Sequence, residues 1–141
     1  MATALIGLGL ALSVTRFKLG AHATCAHYEP DVVRLSGHLL IDKEYGPPNY
    51  GETPAKDEKL HVAILHLTHP LDVCGDTKDA TTSESFKGLQ VVQLNFSNLH
   101  TDPKRYADQK IAVKGTLYRA ISGYHFADVL MTVDSVAVVR E

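Results

Sequence analysis

Only two cysteines occur in the chain, Cys25 and Cys74, and neither belongs to a Cys-x-x-Cys or Cys-x-x-His pair. Structural zinc sites draw their ligands from such spacings, so their absence argues against one. Gly-x-Ser-x-Gly is missing as well, and no serine has neighbours that suggest activation by a base. An acyl-transfer nucleophile therefore finds no support. Glycine-rich phosphate loops are absent, apart from Gly7-x-Gly9 near the N-terminus. No apolar run reaches the roughly 20 residues that a membrane-spanning helix needs. Nor is there a basic stripe: 14 Lys and Arg stand against 16 Asp and Glu, a formal net charge of −2. A binder of phosphate backbones needs concentrated positive charge. What these absences leave is a non-enzymatic domain with no expected cofactor.

What is present starts with an apolar run, Ala4 to Val14, followed by the small-x-small triplet Ala21-His22-Ala23. Together they read as a secretory signal over residues 1–23, with cleavage before Thr24. The pattern is incomplete, because Met1-Ala2-Thr3 lacks the usual basic residue and Arg16 and Lys18 follow the apolar run. The competing reading is a buried N-terminal segment of a cytosolic protein. Removing Arg16 and Lys18 from the 14 basic residues leaves 12 against 16 acidic, a net −4. Residues 24–141 suit one domain with one core. In an exported chain the two cysteines are placed to pair, whereas in a reduced one they are two buried thiols. A bridge would close a loop of about 49 residues and contribute roughly 4 kcal/mol.

Alternation dominates the rest. Val33, Leu35, Gly37, Leu39 and Ile41 share one face of a long first strand, with Arg34, Ser36, His38 and Asp42 on the other. Gly46-Pro47-Pro48-Asn49-Tyr50-Gly51 breaks regular structure. Leu60 to Leu67 and Leu89 to Phe96 form the second and third strands, separated by a polar loop from Gly75 to Gly88. Asp102-Pro103 opens a short helix, Asp as cap and Pro at the first helical position. Ile111, Val113, Gly115 and Leu117 line the fourth strand, and Asp128 to Val139 is the fifth. Five strands with one short helix between the third and fourth is the element order of an OB-like Greek-key barrel.

Seven histidines follow Thr24, among them His66, His69 and His125. His66-x-x-His69 has a helical spacing but falls at a strand end before Pro70. A metal site using His125 with His66 or His69 is thus one possible chemistry, and scattered surface histidines are the other. Aromatic residues gather in loops: Tyr28 and Glu29 after the first cysteine, Tyr45 and Tyr50 around the Gly-Pro-Pro-Asn turn, and Tyr118, Tyr124, His125 and Phe126 around Gly123. OB barrels bind ligands between their first and fourth loops, here Glu44 to Lys59 and Ala120 to Ala127. Tyrosines in such loops either contact a ligand or plug the barrel ends.

Several of these residues also form a pattern: Cys25-Ala26-His27-Tyr28-Glu29-Pro30, Gly46-Pro47-Pro48-Asn49-Tyr50, Val73-Cys74, Val113-Lys114-Gly115-Thr116-Leu117, Gly123-Tyr124-His125 and Val129-Leu130. In this the chain resembles a family of small exported bacterial domains of unknown function, over about Cys25 to Val139. The resemblance implies an envelope location and a Cys25–Cys74 bridge, and brings no established activity. The family's final turn is usually rich in histidine, whereas here Gly123-Tyr124-His125-Phe126 carries one.

The expectation is a periplasmic or secreted OB-like module that contacts a protein or envelope ligand through Tyr28, Glu29, Tyr50, Tyr118, Tyr124 and His125. An inhibitor or immunity-type role would suit such a surface. A metal-binding periplasmic protein is the first alternative, and an OB-type nucleic-acid binder, if the chain is not exported, the second.

Overall fold

The structure is a computed structural model, and it describes residues 24–140. The expected signal segment, residues 1–23, lies outside them. The chain is mainly β, and its elements are β1 (Ala26–His27), β2 (Val32–Tyr45), β3 (Lys59–Cys74), β4 (Phe86–Asn95), a 3-10 turn η1 (Pro103–Tyr106), β5 (Lys110–Arg119) and β6 (Val129–Val138). They form one six-stranded sheet in the order β1-β3-β2-β5-β6-β4, and β4 pairs again with β3. Starting from β3, pairing therefore passes through β2, β5, β6 and β4 and returns to β3. Every join in that circuit is antiparallel except β4 with β6, which is parallel.

Alternation decides which faces are buried. On β5, Ile111, Val113, Gly115 and Leu117 are all buried and their neighbours are less so. Leu39 on β2, Val92 and Leu94 on β4, and Val129, Met131 and Val133 on β6 join them in one apolar cluster. Two mid-strand glycines permit the close packing that this arrangement demands. A Cβ on Gly37 would run into the backbone carbonyl of His66, and one on Gly115 into that of Thr132. The β5–β6 register also shifts between Lys114 and Gly115, a bulge of the kind that bends a strand.

Three expectations are corrected. The sheet has six strands rather than five, because Ala26–His27 pairs in parallel with Val73 and Cys74. Next, β3 does not end before Pro70 but runs on to Cys74, with register shifts against β4 between His66 and Val73. His66 and His69 accordingly sit within one bent strand. Finally, there is no α-helix among the described residues. The segment expected to be a short helix makes a single 3-10 turn, capped by Asp102, whose side chain accepts from the Lys104 N–H at 2.9 Å. It stops because the chain is captured by β2: Asp108 turns through φ 59°, its N–H donates to the Leu39 carbonyl, and the Gln109 carbonyl accepts from Leu39 N–H. Tyr106 stacks on Phe96, which ties the turn to the core.

Cys25 and Cys74 are joined by a disulfide across the β1–β3 pair, with Cα atoms 5.6 Å apart. No helix among the described residues is long and apolar enough to cross a membrane.

Candidate functional site

Two loops dominate the candidate surface: residues 46–58 between β2 and β3, and residues 120–128 between β5 and β6. Each is held by polar side chains rather than by apolar packing. In the first, the Asp57 carboxylate accepts three backbone N–H groups, from Asn49 at 2.8 Å, Gly51 at 2.8 Å and Thr53 at 3.1 Å. Desolvation pushes its pKa up, but these donors outweigh it and hold the group below the ordinary carboxylate value. Asp57 is the one buried charged residue among those described. Gly46 and Glu58 complete the loop base through a 2.8 Å backbone bond.

The second loop is gripped from β4. Gln93 donates its Nε2 to the Tyr124 carbonyl at 3.0 Å, while its Oε1 accepts the Phe126 N–H at 2.7 Å. Gln93 stands in register with Ile64 on β3, which is buried although it lies outside the main cluster. The loop closes on itself through Ala120 N–H to the Asp128 carbonyl at 3.0 Å. His125 acts inside it: its Nδ1 accepts the N–H groups of Ile121 at 2.9 Å and Ser122 at 3.3 Å. Its ring meets the edge of Tyr118 at 5.7 Å, and burial lowers its pKa.

The loops then meet each other. The Tyr124 hydroxyl donates to Glu58 Oε2 at 3.0 Å, an interaction that raises the pKa of the phenol and keeps its proton in place. The Tyr50 ring lies so close to Gly123 that a Cβ there would strike its hydroxyl. Tyr45 covers Gly51, which takes a φ of 98°. Despite these contacts the rings remain outward, Tyr50 being 54% and Tyr124 47% exposed, and Ile121 beside them 73%.

Of the residues expected to contact a ligand, Tyr50 and Tyr124 come together, with His125 and Tyr118 behind them. Tyr118 also accepts from Asn95 Nδ2 at 3.3 Å. Tyr28 and Glu29 are elsewhere. The Tyr28 ring is 4% exposed in the core, and its hydroxyl is committed to the Glu84 carbonyl at 2.7 Å. Glu29 is held against β5 by its N–H to the Leu117 carbonyl. It borders a cleft of about 330 Å³ with Tyr118, Arg119 and Asn95. There Arg119 already pairs with Glu84 at 2.9 Å, so the cleft has no free positive charge. As for metal, no group of three or more His, Cys, Asp or Glu is placed to hold an ion among the described residues. His125 is also poorly disposed for it, because a metal on Nε2 would call for a proton on Nδ1, where two N–H groups already point.

Residues 89–137 match the family model of a domain of unknown function (DUF4431). No curated protein and no solved structure matches the chain. The matched stretch holds Gln93, Tyr118, Tyr124 and His125, and therefore one of the two loops. Tyr50, Asp57, Glu58 and both cysteines lie before it.

Asp57, Glu58 and Gln93 were missed as organisers of the site. The acidic pair Asp57-Glu58 was visible at the end of a Gly-Pro-rich loop, a position where Asp commonly accepts backbone N–H groups. Gln93 left no signal, since its partners come from a loop far along the chain.

Proposed function

We propose that this protein is an exported, non-enzymatic binding module, and that it contacts a protein or envelope ligand through Tyr50 and Tyr124. The observation that carries the reading is the pair of half-exposed rings brought together where two loops meet, Tyr124 bonded to Glu58 and Tyr50 packed on Gly123. An aromatic ring left at the surface usually points nowhere in particular. Here Asp57 holds the backbone on either side of Tyr50, Gln93 holds the backbone around Tyr124, and Glu58 holds the Tyr124 hydroxyl, so little ordering entropy remains to be lost on binding. Tyrosine is favoured in such positions because it offers apolar area together with a polar tip.

The frame we read beneath it is a five-stranded OB-like Greek-key barrel. In support, the pairing circuit β3-β2-β5-β6-β4 returns to β3, with its single parallel join between the third and fifth of the long strands. Loops 46–58 and 120–128 are then the first and fourth barrel loops, which border the ligand face in that fold. Export is supported by the disulfide, which persists in oxidising compartments.

The test is recovery of partners from an envelope extract by the immobilised protein, comparing wild type with a Tyr50→Ala, Tyr124→Ala double variant. At least one partner should be lost from the variant. Equal recovery of every partner would remove the two tyrosines from the reading.

A further inference from the structure

His125 occupies an unusual position for a residue so near the surface, because its Nδ1 can only accept. The N–H groups of Ile121 and Ser122 both point at it, at 2.9 and 3.3 Å. They fix the ring's orientation and place the neutral proton on Nε2. A second proton would have to go on Nδ1, facing two donors with no lone pair left between them. We propose that His125 is a proton-operated latch, whose unprotonated Nδ1 holds residues 121–125 closed and whose protonation releases them. Tyr124 lies within the latched segment, so release would leave Gln93 and Glu58 as its remaining holds and loosen its place beside Tyr50. This deepens the function proposed above and rests on it only for its consequence, not for the latch itself.

The surroundings offer no compensation for an imidazolium. From β5 the facing titratable group is Tyr118, whose ring edge meets His125. From β4 comes Gln93, which does not titrate and bonds the backbone of Tyr124 and Phe126 on either side of His125. The opposite loop brings Tyr50 and Glu58, but Glu58 is taken up by Tyr124. On the loop's own flanks, Arg119 is paired with Glu84, and the Asp128 side chain is exposed; neither the Asp128 nor the Glu58 carboxylate acts on His125. Burial is the one cause that moves the histidine's pKa, and it moves it down. The sign follows. In the open loop His125 would titrate near 6.5, and in the closed loop lower. Acid therefore favours the open form, by up to about tenfold in the opening constant for each pH unit between those two values.

The experiment is amide hydrogen exchange by NMR on the purified protein between pH 8 and pH 4, with protection normalised for intrinsic rates. Ile121 and Ser122 should lose protection as pH falls below about 6.5, while core amides on β5 keep theirs. His125→Gln supplies an acceptor that does not titrate, and should keep both amides protected throughout. His125→Phe keeps a ring against Tyr118 but accepts nothing, and should leave them unprotected even at pH 8. Constant protection in the wild type, a pH response in the Gln variant equal to that of the wild type, or full protection in the Phe variant overturns the latch. These readings come from the free protein. Failure of the partner-recovery test would therefore sink the binding surface and leave the latch standing, and the reverse holds too.

Discussion

Replacing both Cys25 and Cys74 by alanine should cost this domain about 4 kcal/mol, nearly all of it through the unfolded chain. The bridge spans a sequence separation of 49 residues. Closing a loop of that size in the denatured ensemble removes entropy equivalent to roughly 4 kcal/mol at room temperature. In the folded state other contacts hold the same segment. Ala26 and His27 pair with Val73 and Cys74, the Tyr28 ring is buried in the core, and its hydroxyl reaches Glu84. The native arrangement should thus survive loss of the bridge while its margin shrinks. For a domain of this size the shift in midpoint is roughly 15 °C downward, measured by thermal unfolding in the far-ultraviolet circular dichroism. The same shift should follow from adding reductant to the wild type. Near-ultraviolet signals of the tyrosines should stay as they are at low temperature. A shift below about 1 kcal/mol would refute the entropy argument and point to a denatured state that is already compact there. A changed tyrosine signal would refute the other half, showing that β1 and Tyr28 depend on the bridge for their native position.

Two further outcomes test the frame and the first loop. Gly115→Ala should lower stability by about 1–3 kcal/mol in a urea titration, because the added methyl meets the backbone carbonyl of Thr132 on a paired strand, which has no rotamer to yield; an unchanged midpoint would contradict the packing. The Asp57 carboxylate has a lowered pKa in the fold, so its contribution is full above the ordinary value of about 3.9 and is lost as pH falls through the lower, folded value. Asp57→Asn should reproduce that loss at neutral pH, with protection of the Asn49, Gly51 and Thr53 amides falling roughly tenfold while Gln93-gripped Phe126 is unaffected; equal protection in the variant would show that the loop stands without the charge.

The strands were legible because burial writes a period of two into residues next to each other. Ile111, Val113 and Leu117 needed no knowledge of their partners to be placed inward, and the order of five long strands followed from such runs. The extra strand was not legible, since two residues carry no period, and Ala26–His27 is a strand only because Val73 and Cys74 lie beside it. The end of β3 was misjudged for a related reason. Pro70 reads as a terminator in isolation, yet it falls where the β3–β4 register shifts, between His66 and Leu71, and proline is tolerated at such irregularities. The helix after Asp102 had a sound cap, but no local rule could foresee that Leu39 would take the backbone at Asp108 and Gln109.

The site divides along the same line. Its aromatic residues stood out by their place in loops, and Tyr28 failed as a surface residue only because a core tyrosine and a contact tyrosine are spelled alike. What turns Tyr50 and Tyr124 into a surface is a set of polar contacts made at long range: Gln93 with the turn around Tyr124, and Glu58 with the Tyr124 hydroxyl. Each partner alone reads as an ordinary solvated side chain. The same holds for His125, whose nitrogen is defined by two backbone N–H groups that every sequence possesses. In this protein the apolar pattern determines where the loops emerge, and uncharged or compensated polar groups determine what they present. A substitution on the first set should unfold the protein, whereas one on the second should leave a folded domain with a misplaced surface. Gln93→Ala belongs to the second set by this reasoning, even though Gln93 lies in the middle of a strand.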